Sequence, residues 1–448
     1  MGEFGDTARR ARALSCARRG RARRRPRILS AALAAGALLV PASAAHGAGA
    51  VQSALTTWGG ANPATSAAVW RLDGDGSPTP VAAFRPGSPR IPASTMKLVT
   101  SAGALLELGP EFRFKTRVYA APGARMRGKA LIGSIYLKGA GDPVLATRSY
   151  ARGYLAGRAT SMADLGRPLR ARGIRLVRGR IVADERLFDS RRMGPGWPSR
   201  YRYYASPLSA LATNQNFAGN GQAAHVGSPA VAAAQRLRAT LKGVGISHVG
   251  ALRVGATPSG SRLLATATSP RLPTILRAMN LDSDNFIAET LVKDVGAYGA
   301  GRGTTRRGTA RTTALLSERG ILTDGDRLVD GSGLSRANRL SAASLARLIA
   351  AADADPEWGA PLIRSLARGG EGTLVRRFRS GPATKRVRAK TGYLDGVSTM
   401  AGRVVGRRGQ RYAFALLMSS ADIGGARAVQ DRVVTLLASG SEDVVSAR

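Results

Sequence analysis

Pro92-Ala93-Ser94-Thr95-Met96-Lys97 is the stretch on which the reading of this 448-residue chain turns. A serine and a lysine three residues apart open an apolar run, 98–108, that reads as a helix and stops at Gly109-Pro110, as a glycine followed by proline stops helices generally. Positions i and i+3 share a helix face, so the Ser94 hydroxyl and the Lys97 amine can meet. A helix that starts near Ser94 also sets its unpaired N–H groups and positive dipole end beside that hydroxyl. The spacing alone proves little. About half a match is expected by chance in a chain of this composition, and a helix cap next to a solvated lysine explains it as well. Later residues have to answer it.

Composition narrows the chemistry. The net charge is +40, from 68 Lys+Arg against 28 Asp+Glu, and only eight of the cations are lysines. Such a charge invites a nucleic acid or another anionic polymer. The arginines, however, are spread thinly after residue 30 and form no stripe, which fits a compositional bias and no nucleic-acid partner. Hydrophobic content of 44% and charged content of 21% are globular values, and the length allows two or more lobes. Residues 9–27 hold ten arginines, residues 28–40 are mainly apolar, and Pro41-Ala42-Ser43-Ala44 supplies small residues of the kind a signal peptidase cuts after. An apolar run of thirteen residues is short for a bilayer. We therefore expect a cleaved signal peptide over 1–44, a mature chain secreted across the cytoplasmic membrane, and no stable membrane span. The single cysteine, Cys16, lies inside the leader, and His46, His225 and His248 are scattered. Disulfides, thiolate metal sites and cysteine nucleophiles are excluded from the mature chain, a His triad or zinc cluster is not expected, and no cofactor is implied. The chemistry falls to Ser, Lys, Asp, Glu and Asn.

Along the chain, 67–72 and 80–84 read as a strand pair with Asp73-Gly74-Asp75-Gly76 as its turn. Strands are expected over 112–119, 130–137, 179–184 and 261–269, and helices over 161–172 and 230–243. The tyrosines Tyr201, Tyr203 and Tyr204 are read as packing beneath a loop. Helices follow over 272–279, 286–298, 305–318 and 341–352, then strands 397–405 and 411–419 and a closing helix 425–437. Helices before and after an antiparallel meander make an α+β sandwich. The end of the chain reads as a frayed tail.

Two stretches answer Ser94 and Lys97. Ser283-Asp284-Asn285 sits in a helix-to-helix loop, and Lys390-Thr391-Gly392 sits on an expected edge strand. In this order the three resemble the motif set of the penicillin-interacting serine enzymes. From about Val69 to the last helix, the chain resembles the low-molecular-mass class C penicillin-binding proteins, the D-alanyl-D-alanine carboxypeptidase/endopeptidase family. The flanks carry the likeness too: Asn280 to Glu289 around the second motif, Tyr136-Leu137-Lys138-Gly139-Ala140-Gly141-Asp142-Pro143, Gly194-Pro195-Gly196-Trp197-Pro198 and Asp330-Gly331-Ser332-Gly333-Leu334-Ser335. The long gap between Lys97 and Ser283 is itself typical of that family.

The resemblance implies a penicillin-binding-protein/β-lactamase-like transpeptidase domain, an antiparallel sheet flanked by helices, over 45–116 and 268–440. A β-rich accessory domain is inserted over 117–267, and a flexible tail follows over 441–448. It implies a secreted serine enzyme acting on peptidoglycan stem peptides and cross-links and acylated by β-lactams. Ser94 would attack, Lys97 would act as general base and Ser283 would relay the proton. Asn285, Lys390, Thr391, Gly392 and the Tyr393 backbone would bind substrate. Two departures stand out. About a dozen residues follow Asn214-Gln215-Asn216 where the family carries a further small domain, so the insertion is shortened. Tyr393 stands where a threonine is more usual. The competing readings are a non-catalytic wall-binding relative, which the intact Ser94, Lys97, Ser283 and Lys390 oppose, and a β-lactamase, which the long insertion and the lack of a Glu-x-x-x-Asn deacylation loop oppose.

Overall fold

The computed structural model describes residues 48–72, 78–219 and 224–440. The expected leader, the 73–76 turn and the 441–448 tail lie outside these residues. A six-stranded antiparallel sheet forms the backbone of the fold, in the order Ala367–Arg368, Val387–Leu394, Val397–Val405, Arg411–Ser419, Thr65–Leu72 and Pro78–Phe84. The Arg411–Ser419 strand is buried on both faces, and its side chains alternate as a pleated strand requires. Tyr412, Phe414, Leu416 and Met418 pack with Val51 and Leu55 of the Ala48–Ala61 helix and Val433 and Leu437 of the Ile423–Ser439 helix. The small residues Ala413 and Ala415, with Leu417, face the other way, against Leu98, Val99 and Ala102 of the Met96–Leu108 helix and the helices Leu272–Asp282, Asn285–Ala300 and Ala342–Ala354. Small residues on that face let the helix layer approach closely.

A second core gathers Val118, Leu137, Leu165, Ile181, Leu237 and Leu264. It joins a five-stranded and a four-stranded sheet built within 115–268 to the helices Ala163–Ala171 and Pro229–Gly243. The strand expected over 130–137 is two strands. Ala130–Ile132 belongs to the four-stranded sheet and Ile135–Lys138 to the five-stranded one, because the chain turns at Gly133-Ser134. The two cores are not cleanly parted by sequence: Val144, Ala146, Tyr150 and Leu155 pack into the same core as Leu98 and Leu291.

Most expected helices and strands lie where their apolar periodicity put them. The Ala48–Ala61 helix was not foreseen; a run of Ala, Gly and Thr carries little periodic contrast. The tyrosines need correction. Tyr201 is buried, but Tyr203 and Tyr204 are 73% and 60% exposed, because the Ser199–Tyr203 turn is a single short 3-10 segment that can bury only one side of itself.

Candidate active site

Ser94 sits at the centre of a 3-10 turn, Ala93–Thr95, that runs straight into the Met96–Leu108 helix. The turn is tied down on both sides. Pro92 O accepts hydrogen bonds from Thr95 Oγ1 at 2.6 Å and from Thr399 Oγ1 at 2.8 Å. Ala93 has φ of +46°, an unfavourable conformation for a residue with a Cβ, stored at the residue that aims the hydroxyl.

Lys97 is fully buried. Its Nζ lies 2.9 Å from Ser94 Oγ, 2.8 Å from Asn285 Oδ1 and 2.8 Å from the Ser332 carbonyl. None of these acceptors is charged. Burial lowers the Lys97 pKa from its ordinary value to about 8, while the more distant carboxylates of Asp330, Asp284 and Glu289 pull it back up. Burial is thus the main cause of the shift.

The helix before Asn285 ends at Ser283, which takes a left-handed conformation with φ of +56°. Asp284 then caps the next helix, its Oδ1 accepting from Ile287 N at 2.8 Å. This abrupt change of direction presents Ser283 Oγ to Lys390 Nζ at 2.9 Å and Asn285 to Lys97. Asn285 also donates through Nδ2 to Tyr204 O at 2.9 Å. Its amide is therefore shared between Lys97 and Tyr204, and one N–H is left for a further acceptor.

Lys390 is fully buried on the Val387–Leu394 strand, with Thr391 O 2.7 Å from its Nζ. Burial, and then the neighbouring Lys97, hold its pKa well below the usual lysine range. The expected edge position is partly right. The Ala367–Arg368 strand pairs only with Arg388 and Ala389, so the outer edge is bare from Lys390 onward. Gly392 is required by packing: a Cβ there would lie 2.2 Å from Thr399 Oγ1 and 2.7 Å from Ser94 N. Thr391 is half-buried. Tyr393 is exposed, with the Arg427 guanidinium 5.4 Å above its ring.

Several residues that sequence reasoning left without a role complete the frame. Ser332 belongs to a glycine loop, Asp330-Gly331-Ser332-Gly333, which Glu289 holds in place, its Oε1 accepting from Gly331 N at 2.9 Å and Ser332 N at 2.7 Å. Burial raises the Glu289 pKa to about 8. Glu289 follows Asn285 by four residues, one helical turn on the same face, and that spacing was a usable signal. Asp330 accepts from Gly333 N, Ser335 N, Asn338 Nδ2 and Trp197 Nε1. Gly333 (φ +86°) passes so close to Ala93 O that a Cβ would lie 1.7 Å from it. Gln215 Nε2 donates to Asp284 Oδ2, and Asn214, Gln215 and Asn216 are all left-handed. The Asn-Gln-Asn stretch thus links the 115–268 region to the second motif. No group of three or more His, Cys, Asp or Glu residues able to hold a metal occurs among the described residues.

The profile of the D-Ala-D-Ala carboxypeptidase 3 (S13) family matches residues 76–219 and 215–439. A D-alanyl-D-alanine carboxypeptidase from Actinomadura sp. (strain R39) is 30% identical, covering 79% of this chain and 77% of that protein. A carboxypeptidase from Mycobacterium tuberculosis is 34% identical over 78% of this chain and 75% of its own length. Among solved structures, penicillin-binding protein 4 from Haemophilus influenzae has a TM-score of 0.68 at 23% identity, covering 86% of this chain and 97% of that one. A penicillin G-acylated predatory endopeptidase from Bdellovibrio bacteriovorus has a TM-score of 0.51 at 18% identity, covering 83% of this chain and 91% of its own. At these identities the structures speak to the fold, while the profile and the sequence relatives speak to descent. This chain belongs to the D-Ala-D-Ala carboxypeptidase 3 (S13) family of serine peptidases, the class C low-molecular-mass penicillin-binding proteins.

Proposed function

We propose that the chain is an extracytoplasmic D-Ala-D-Ala carboxypeptidase and endopeptidase of peptidoglycan that works through an acyl-enzyme on Ser94 and is acylated by penicillin. The observation that carries this reading is the 2.9 Å approach of Lys97 Nζ to Ser94 Oγ in a site where none of the Nζ partners is a carboxylate. A buried amine so placed loses its proton easily and can then accept one.

Neutral Lys97 takes the Ser94 proton as Oγ bonds to the penultimate D-alanine carbonyl carbon. The Ser94 and Tyr393 N–H groups hold the developing oxyanion, each such donor being worth about 3 kcal/mol. Collapse breaks the C–N bond to the terminal D-alanine, whose nitrogen receives the proton from Lys97 through the Ser283 hydroxyl, which both donates and accepts. Water then attacks the ester, and Ser94 leaves with its proton restored. Lys390 and Thr391 hold the terminal carboxylate. Burial, and then Lys97, lower the Lys390 pKa well below the usual lysine range. An arriving carboxylate favours protonated Lys390, and the repulsion then favours neutral Lys97, so that binding readies the base. Asn285 orients Lys97 and the substrate peptide.

The same reading assigns 45–116 and 268–440 to the peptidase domain and 117–267 to a shortened accessory domain, with secretion directed by 1–44. Among the described residues no helix is long and apolar enough to cross a membrane. The test is labelling with fluorescent penicillin, together with D-alanine release from a pentapeptide and cleavage of a cross-linked dimer. Wild type labels and Ser94→Ala does not; undiminished labelling of Ser94→Ala overturns the reading, and release of D-alanine without dimer cleavage removes its endopeptidase half.

A further inference from the structure

The segment 194–205 brings the 115–268 region to the site at three places. Trp197 Nε1 donates to Asp330 Oδ2 at 2.8 Å. Tyr204 O accepts from Asn285 Nδ2 at 2.9 Å. Tyr201 and Ala205, together with Trp197, pack with Leu334, which follows the glycine loop, and with Leu394 at the end of the strand that carries Lys390. The chain is shaped to seat the indole. Gly196 has φ of +69°, a Cβ at Gly194 would run into the Trp197 ring, and the Tyr201 ring stands 6.4 Å from it between centroids.

Asp330, at the other end of the Trp197 bond, is buried and accepts from four donors. Gly333 N, Ser335 N and Asn338 Nδ2 come from its own loop. Trp197 Nε1, 133 positions away, is among the described residues the one donor from elsewhere in the chain. The loop that Asp330 organises places the Ser332 carbonyl 2.8 Å from Lys97 Nζ. The Asp330 charge reaches Lys97 as well. Asp330, Asp284 and Glu289 favour the protonated amine, Asp330 most strongly of the three, while Lys390 is the neighbouring cation. An N–H aimed at a carboxylate offsets part of its field, so loss of the indole N–H leaves more negative charge to act on Lys97.

We propose that Trp197 is a positioning residue of the acylation chemistry: its indole N–H on Asp330 fixes the glycine loop against Lys97 and restrains the pull of the Asp330 charge on that amine, so that the inserted region takes part in setting the base. The inference rests on the acyl-enzyme reading with Lys97 as base. Trp197 acts through Asp330, and the proton transfers remain those of Ser94, Lys97 and Ser283.

Stopped-flow acylation by a chromogenic β-lactam, followed from about pH 6 to about pH 10, tests it on wild type, Trp197→Phe and a protein with benzothienylalanine in place of Trp197. Benzothienylalanine keeps the bicyclic shape and has sulfur where the indole has N–H, so the packing with Leu334 and Leu394 is retained. Both replacements should move the acid limb to higher pH by up to roughly half a pH. They should slow the plateau acylation rate roughly three- to tenfold, as loss of a hydrogen bond to a charged group does. The dissociation constant of the complex that precedes acylation should change less than roughly twofold, because Trp197 acts on the base and not on the ligand. A merely structural role would lower the melting temperature and leave the limb in place. An acid limb that stays put or moves to lower pH in the benzothienylalanine protein overturns the proposal, as does a loss confined to the dissociation constant. Should Trp197→Phe fail to fold, the benzothienylalanine protein decides alone. A wild-type profile with no acid limb overturns the reading of Lys97 as base and this inference with it; a wild-type limb that the replacements leave unmoved overturns this inference alone.

Discussion

Lys97 in the cleft and Lys293 on the Asn285–Ala300 helix are both completely buried, and their ammonium groups are kept by different kinds of partner. Lys293 is ion-paired with Asp189, donates to Arg191 O at 2.7 Å and lies 5.8 Å above the Phe188 ring. Lys97 touches a hydroxyl, an amide oxygen and a peptide carbonyl. Burial lowers both pKa values, but at Lys293 the adjacent Asp189 pushes back by direct contact. At Lys97 the carboxylates that oppose burial stand further off, and the value falls to about 8. On the proposed mechanism Lys97 can act as a base because its neighbours satisfy its hydrogen bonds without supplying a counter-charge, whereas Lys293, with a carboxylate in contact, is a strut.

The largest effect that can break this contrast is on acylation. Lys97→Met should slow penicillin acylation by about 10³-fold, in the range for loss of a positioned base, whereas Lys293→Met should change it less than roughly tenfold. Stopped-flow acylation of the two variants by a chromogenic β-lactam checks this. Equal losses would mean that Lys97 is also a strut.

Second in size is the pH dependence. Below about 8 the free enzyme carries protonated Lys97, which cannot accept the Ser94 proton. The acylation rate should therefore climb roughly tenfold per pH between about 6 and 8 and flatten above. The same shift has a stability sign. Between about 8 and the ordinary 10.5 the unfolded chain binds this proton and the folded chain does not, so stability gained from this group rises with pH through that window. A rate that is flat from pH 6 to 8 would remove Lys97 as the base.

Stability separates the two lysines in the opposite direction. Lys293→Met leaves Asp189 without its partner, and breaking a buried pair costs about 3 kcal/mol. Lys97→Met loses three hydrogen bonds but relieves the burial of an amine, and the two effects should cancel to within about 1 kcal/mol. Urea unfolding at pH 7 measures both. A Lys97→Met variant that loses as much as Lys293→Met would show that the cleft has no special tolerance for losing its charge.

This contrast was half legible in the sequence. Ser94 and Lys97 are one helical turn apart, and Lys390 and Ser283 stand in recognisable flanks, so local periodicity and motif spacing were enough to bring them together. The strand 411–419 was legible because Tyr412 to Met418 is a continuous apolar run, and 397–405 because a stretch rich in apolar and β-branched residues lies between Asp395-Gly396 and Gly406. What the sequence could not carry was three-dimensional charge placement. Nothing in the residues around Lys293 says that Asp189, 104 positions away, reaches it, or that no carboxylate reaches Lys97. The left-handed turn at Asn214–Asn216 and the split of 130–137 between two sheets were hidden likewise, because each depends on tertiary neighbours that override local propensity.

The smallest effect is the most discriminating for how the cleft sets its base. Glu289 stands behind the glycine loop, accepts the Gly331 and Ser332 N–H groups, and raises the Lys97 pKa through space. Gln at this position keeps an oxygen for both N–H groups and removes the charge. With that charge gone, the acid limb of the acylation profile should move to lower pH by roughly half a pH or less. The plateau rate should change less than roughly threefold, since Ser332 O keeps its place against Lys97. Because Glu289 is itself raised to about 8, it is largely neutral at pH 6, and the shift should shrink toward that end of the profile. A plateau that collapses while the limb stays put would mean that Glu289 acts by holding the loop alone. A limb that moves with the plateau intact means that the distant carboxylate tunes the base, the arrangement that the direct contact at Lys293 forgoes.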